Sequence, residues 1–164
     1  MGDSDSKTVL VPGSFDPVTL GHLAMIRFAA GAYDKVVVGV LQNADKTCLF
    51  SPRERVAMIE ASVRDAGLSN VSVVSYEGMT ADLYRDVGAI AMIRGVRDEK
   101  DEAYEQTILD YHARHDPDLT TVFWHCPPEL AHCSSTAVRQ ALAAGREVSD
   151  LVSPAVADYL KNNR

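Results

Sequence analysis

Thr8-Val9-Leu10-Val11-Pro12-Gly13-Ser14-Phe15-Asp16-Pro17-Val18-Thr19-Leu20-Gly21-His22 is the stretch from which the fold is read. Thr8–Pro12 is a short apolar run of the length and composition of a buried strand. Two prolines, two glycines and Ser14 then stiffen a loop whose backbone must approach something closely. A helical pattern over Gly21–Ala32 follows, so His22 falls in the first turn, where unpaired N–H groups and the helix dipole welcome an anion. The stretch is a strand, a tight loop and a helix: the first half of a βαβ unit.

The same alternation continues along the chain. Lys35–Leu41, Val71–Tyr76, Ala89–Ile93 and Thr120–His125 read as four more strands. Helical patterns lie between and after them, over Pro52–Ala66, Thr80–Val87, Glu99–His115, Ser135–Ala144 and Pro154–Asn162. The second helix is the best marked, with Ser51 as N-cap, Pro52 at its first position, Glu54 completing a capping box and Gly67 beyond its end. Strand–helix alternation predicts an α/β fold: a Rossmann-like, doubly wound, five-stranded parallel sheet with helices on both faces. No linker, repeat or low-complexity stretch divides it, so a flexible leader (1–7) and one domain (8–164) are expected. In such sheets ligands bind at the carboxyl ends of the strands, where the strand order reverses.

Composition limits the functions available. The net charge of −7 argues against a broad nucleic-acid surface, which needs a basic stripe. One phosphorylated small molecule needs only a local cluster of cations. No apolar run approaches the roughly 20 residues of a membrane span, and the acidic N-terminus does not read as a secretory signal. Three cysteines, Cys48, Cys126 and Cys133, cannot all pair, and reduced thiols in the cytoplasm are the natural reading. Met1-Gly2-Asp3-Ser4-Asp5-Ser6 fits the short myristoylation template but reads more simply as a polar leader.

Near the chain's end Cys133-Ser134-Ser135-Thr136-Ala137-Val138-Arg139 enters another helix. One hydroxyl suffices for a cap, and the surplus suits a polyphosphate. Thr19-Leu20-Gly21-His22 and Cys133 to Arg139 resemble the (His/Thr)-x-Gly-His and Ile-Ser-Ser-Thr-x-x-Arg signatures of the nucleotidylyltransferase superfamily. Within it, the order and spacing resemble the bacterial phosphopantetheine adenylyltransferase family over nearly the whole chain. The likeness includes Pro12 to Pro17, Leu49-Phe50-Ser51 with Glu54-Arg55, Ile93 to Arg97, and Tyr104-Glu105.

The resemblance implies adenylyl transfer from ATP to 4′-phosphopantetheine, giving dephospho-coenzyme A and pyrophosphate. The acceptor phosphate would attack the ATP α-phosphate in line, without a covalent intermediate. His22 would stabilise the transition state, and Lys46 and Arg94 would hold the acceptor phosphate, with Ser14 and Thr80 also on the acceptor side. Ser14, Phe15, His22, Gly95, Val96, Arg97, Glu105 and Leu130-Ala131-His132-Cys133-Ser134-Ser135-Thr136 would line the ATP site. The family further implies magnesium, a homohexamer and feedback binding of coenzyme A.

The chemistry is consistent with that set. A phosphate nucleophile is already anionic, so positioning and charge neutralisation are needed rather than a strong base. His22 could also be a surface histidine, Lys46 a solvated loop residue, and Arg94 and Arg97 solvated charges flanking Gly95 after an apolar strand. His125, Cys126, His132 and Cys133 lack the spacing of a zinc site, and His112 and His115 lack a third ligand. Departures from the family pattern fall at Leu20, Ala24, Thr47, Cys48, Met79 to Asp82, His132 and Cys133. They leave open a relative with another acceptor, nicotinamide mononucleotide or a polyol phosphate, and a catalytically idle nucleotide-binding module.

Overall fold

A computed structural model describes residues 6–43 and 45–163; Gly2 of the myristoylation pattern and residues 1–5 of the leader lie outside the described residues. The elements run β1 (Thr8–Gly13), α1 (Leu20–Ala32), β2 (Lys35–Gln42), α2 (Pro52–Asp65), β3 (Val71–Glu77), α3 (Thr80–Asp86), β4 (Ala91–Val96), α4 (Glu99–His115), β5 (Thr121–His125), a 3-10 turn (Pro128–Leu130), α5 (Ser135–Ala143) and α6 (Pro154–Asn162). The five strands form one parallel sheet in the order β3-β2-β1-β4-β5. The chain builds outward from β1 to β3, then returns past β1 to lay down β4 and β5. The order therefore reverses between β1 and β4, and the crevice expected of this architecture opens at their carboxyl ends.

Alternation along β1 assigns its side chains to two cores. Val9 and Val11 join the larger one, with Met25 and Ile26 of α1, Met58 and Ile59 of α2, Val138 of α5 and Val156 of α6. Leu10 faces the other way and packs with Met92 of β4 and with Leu83 and Tyr84 of α3. Helices thus cover both faces, unequally. α4 buries none of its residues and lies against β4.

The capping box of α2 forms as its sequence predicts: Glu54 N–H donates to Ser51 Oγ, and Ser51 N–H to Glu54 Oε1, each at 3.1 Å. The fourth strand lies later than its apolar run suggests, at Ala91–Val96 rather than Ala89–Ile93. β5 supplies the reason, continuing the ladder through Arg94↔Phe123, Gly95↔Trp124 and Val96↔His125. Arg94 and Gly95 are consequently strand residues, not loop residues that follow the strand.

Candidate active site

A cleft of about 440 Å³ opens at the switch point between β1 and β4. Five segments converge on it: the loop from Ser14 into α1, Lys46, the end of β4 with the first turns of α4, the end of β5 with Trp124 and Cys126, and the loop that enters α5.

The loop after β1 is held from several directions. The Asp16 carboxylate, 3% exposed, accepts from Leu49 N–H at 2.8 Å and Phe50 N–H at 2.9 Å. Arg55, also 3% exposed, donates from Nε to Phe50 O at 3.1 Å and from Nη1 to Ser14 O at 2.8 Å and Leu41 O at 3.2 Å. From the far end of the chain, Ser135 Oγ donates to Pro17 O and Arg139 Nη1 to Asp16 O, each at 2.8 Å. Two loops separated by more than a hundred residues are thereby brought to one place. Phe15 takes a positive φ of 50° there and sets its ring edge-to-face on His22, with centroids 5.0 Å apart.

His22 has a geometry that fixes its chemistry. Thr19 is the N-cap of α1, and its side chain accepts from His22 N–H at 3.4 Å. The imidazole reaches back, its Nδ1 accepting from Thr19 N–H at 3.1 Å. A backbone amide can only donate, so Nδ1 is the acceptor and the neutral ring carries its proton on Nε2. Burial first, and the Arg97 charge second, push the ring pKa down from 6.5 to about 4. At neutral pH His22 is therefore an uncharged Nε2–H donor on the cleft wall.

The cations around it are anchored. Lys46 Nζ donates to Ser14 Oγ at 2.9 Å. Arg97 Nε pairs with Asp101 at 3.0 Å, and Arg139 Nη2 donates to Thr136 Oγ1 at 3.1 Å. Ser134 caps α5 by accepting from Ala137 N–H at 3.0 Å. The α1 and α5 N-termini both reach the cleft, and first-turn amides have no partner within their own helix. The floor is more apolar, formed by Met25, Gly95 and Trp124. A Cβ on Gly95 would stand 3.2 Å from Met25 Sδ and 3.8 Å from the Trp124 ring, so glycine keeps that floor open.

Of the residues expected from sequence, Ser14, Phe15, His22, Lys46, Gly95, Val96, Arg97, Glu105, Cys133, Ser134, Ser135 and Thr136 line this cleft. Arg94, Thr80, Leu130, Ala131 and His132 are not part of its lining. Arg94 alternates with Gly95 along β4 but is held by a residue of the lining: the Glu105 carboxylate of α4 accepts from its Nε at 2.7 Å and its Nη2 at 2.9 Å. The surplus hydroxyls of α5 are also partly committed, since Ser135 donates its proton to Pro17 O and Thr136 accepts from Arg139.

The two sequence signatures contain Thr19 and Arg139 without showing what they hold, and sequence reasoning missed the support given by Asp16, Arg55 and Asp101 and the floor made by Met25 and Trp124. Asp16 and Arg55 had a usable signal in their place within the Pro12–Pro17 and Glu54-Arg55 motifs. Met25 and Trp124 read as ordinary core residues.

The arrangement offers two helix N-termini, fixed cations and one neutral N–H donor to a polyanion, with an apolar floor for a flat ring. A cytidylyltransferase-like family model matches residues 10–141. A phosphopantetheine adenylyltransferase of Clavibacter michiganensis is 46% identical over 160 residues, covering 96% of this chain and 98% of the relative. One from Leifsonia xyli is 41% identical over 158 residues, covering 96% and 99%. Among solved structures, a bifunctional NMN adenylyltransferase/ADP ribose pyrophosphatase from Francisella tularensis superposes with a TM-score of 0.72 at 18% identity, over 96% of this chain and 49% of that one, a likeness of fold alone. With two near-full-length relatives above 40% identity and a cleft at the switch point, the chain belongs to the phosphopantetheine adenylyltransferase family.

Proposed function

We propose that this chain transfers the adenylyl group of ATP to 4′-phosphopantetheine, giving dephospho-coenzyme A and pyrophosphate. The observation that carries the reading is one cleft holding the Nε2–H donor of His22 beside the α1 and α5 N-termini. ATP lies with its phosphates against those N-termini, Arg97 and Arg139, and its base over the Gly95–Trp124 floor. Ser14, Phe15, Glu105 and the Leu130–Thr136 stretch complete the nucleotide site.

The acceptor phosphate is held from the Lys46–Ser14 side. Arg94 reaches it by leaving Glu105, and Thr80 meets the far end of the acceptor. An acceptor oxygen attacks the α-phosphorus in line and the bond to pyrophosphate breaks, with no covalent intermediate. His22 donates to the α-phosphoryl oxygen as charge grows there, a contact of a kind whose loss costs about 3–4 kcal/mol of transition-state stabilisation. Magnesium enters with the triphosphate as part of the substrate; among the described residues no group of three His, Cys, Asp or Glu gathers that could hold it independently.

One nucleotidylyltransferase domain over 8–164, a homohexamer, feedback binding of coenzyme A and a cytoplasmic setting belong to the same reading. Among the described residues no helix is long and apolar enough to cross a membrane. The test is pyrophosphate release with ATP and magnesium over a panel of acceptors. Turnover with 4′-phosphopantetheine is expected. Turnover only with nicotinamide mononucleotide or a polyol phosphate, or none with any acceptor, would overturn the assignment.

A further inference from the structure

Arg97 is long, 44% exposed at its side chain and placed on the cleft wall, so an unrestrained guanidinium there would lose considerable rotamer freedom on meeting a ligand. One carboxylate oxygen removes that freedom beforehand. Asp101 Oδ2 accepts from both Arg97 N–H at 3.2 Å and Arg97 Nε at 3.0 Å, tying the side chain to its own backbone. Among the described residues no other hydrogen bond or ion pair engages the Arg97 side chain, so its terminal nitrogens remain for a ligand.

Asp101 is itself fixed. Its amide donates to Asp98 Oδ1 at 2.8 Å, where Asp98 caps α4, and its carboxylate lies in the first turn, at the positive end of the helix. No residue of α4 is buried, so the pair contributes nothing to a core. Both residues line the cleft, and the Arg97 charge is felt at the His22 ring.

We infer that Asp101 is a positioning residue: it holds the Arg97 guanidinium in the orientation that receives the polyphosphate of a bound nucleotide, without touching the reacting atoms. This rests on the ATP site proposed above. An amide oxygen can accept the same two hydrogen bonds, so geometry rather than charge is what Asp101 supplies.

The test titrates ATP and adenosine into the full chain and follows its single tryptophan, Trp124, on the cleft floor. Asp101→Ala should weaken ATP about five- to tenfold, the cost of ordering one long side chain. Adenosine, which has no phosphate for Arg97 to meet, should bind as it does to wild type. Asp101→Asn should restore ATP to within about threefold of wild type, and in an Arg97→Ala background Asp101→Ala should have no further effect. Equal losses for adenosine and ATP, an unchanged ATP affinity, Asp101→Asn behaving like Asp101→Ala, or additivity with Arg97→Ala would each overturn the inference. A wild-type chain that binds neither ligand would instead overturn the ATP site, and the inference with it.

Discussion

The neutral state of His22 can be read as an acid-sensitivity of folding. The ring titrates at about 4 in the folded chain against 6.5 in its ordinary state. Between those values the unfolded chain binds a proton that the folded chain refuses, so stability falls as pH drops through this window. The sign is that of a group whose protonated form is disfavoured by folding: its penalty is absent above pH 6.5 and complete below pH 4. The separation corresponds to about 3 kcal/mol in full, of which about 2 kcal/mol is already lost at pH 5.

The assay is urea unfolding of wild type and His22→Gln at pH 7.5 and pH 5, followed by far-ultraviolet circular dichroism. Other titrating groups contribute to both proteins and cancel in the difference. Wild type should lose about 2 kcal/mol more than the variant over that interval. Ring-proton NMR should show His22 still neutral at pH 5. A His22 titration near 6.5, or identical pH slopes in the two proteins, would refute the reasoning. It would also remove the argument for a neutral Nε2–H donor.

Arg55→Met should destabilise the fold by about 3 kcal/mol in urea unfolding, because three carbonyl groups around a buried site lose their donor. Lys46→Ala should raise the KM for the acceptor by about ten- to a hundredfold in initial-rate measurements, with the KM for ATP nearly unchanged. Gly39→Ala should lower the unfolding free energy by about 1–2 kcal/mol. Its new Cβ would stand 2.6 Å from Leu83 Cδ2, and Leu83→Val in the same chain should recover part of the loss.

The fold was legible because its signals are local and repeated. β-branched runs of strand length, caps such as Ser51 with Glu54, and helices between strands leave a parallel sheet as the consistent answer. The strand order that places the crevice between β1 and β4 depends on pairing between distant segments, which hydrophobic period does not encode. The same limit displaced β4: Arg94 and Gly95 are not apolar, yet β5 offers them ladder partners, so the strand runs on. At the site, His22 and the α5 hydroxyls were readable because loops stiffened by Gly and Pro, and surplus caps, are unusual on local grounds. Asp16 and Arg55 could be singled out only as members of the Pro12–Pro17 and Glu54-Arg55 motifs, and Asp101 not at all, since a carboxylate or guanidinium in sequence looks solvated. Only the tertiary structure shows Asp16 turned onto two backbone amides, or Arg55 onto three carbonyls.

A chain with net charge −7 nevertheless assembles cations around one cleft, and it does so by giving them acidic neighbours: Arg97 with Asp101 and Arg139 with Asp16. Pairing lowers the cleft's raw attraction for phosphate, so strength of attraction is not what the arrangement favours. It favours guanidinium groups already in position before the ligand arrives, which is the condition for stabilising developing charge without reorganisation at the moment of reaction. The same choice bears on His22. A second full positive charge beside Arg97 would be costly, and burial already disfavours it. The ring therefore stays neutral, its Nδ1 accepts from Thr19 N–H, and the remaining N–H becomes a hydrogen-bond donor of fixed direction. Fixed cations, helix N-termini and one directed neutral donor together form a site suited to a nucleophile that is already anionic.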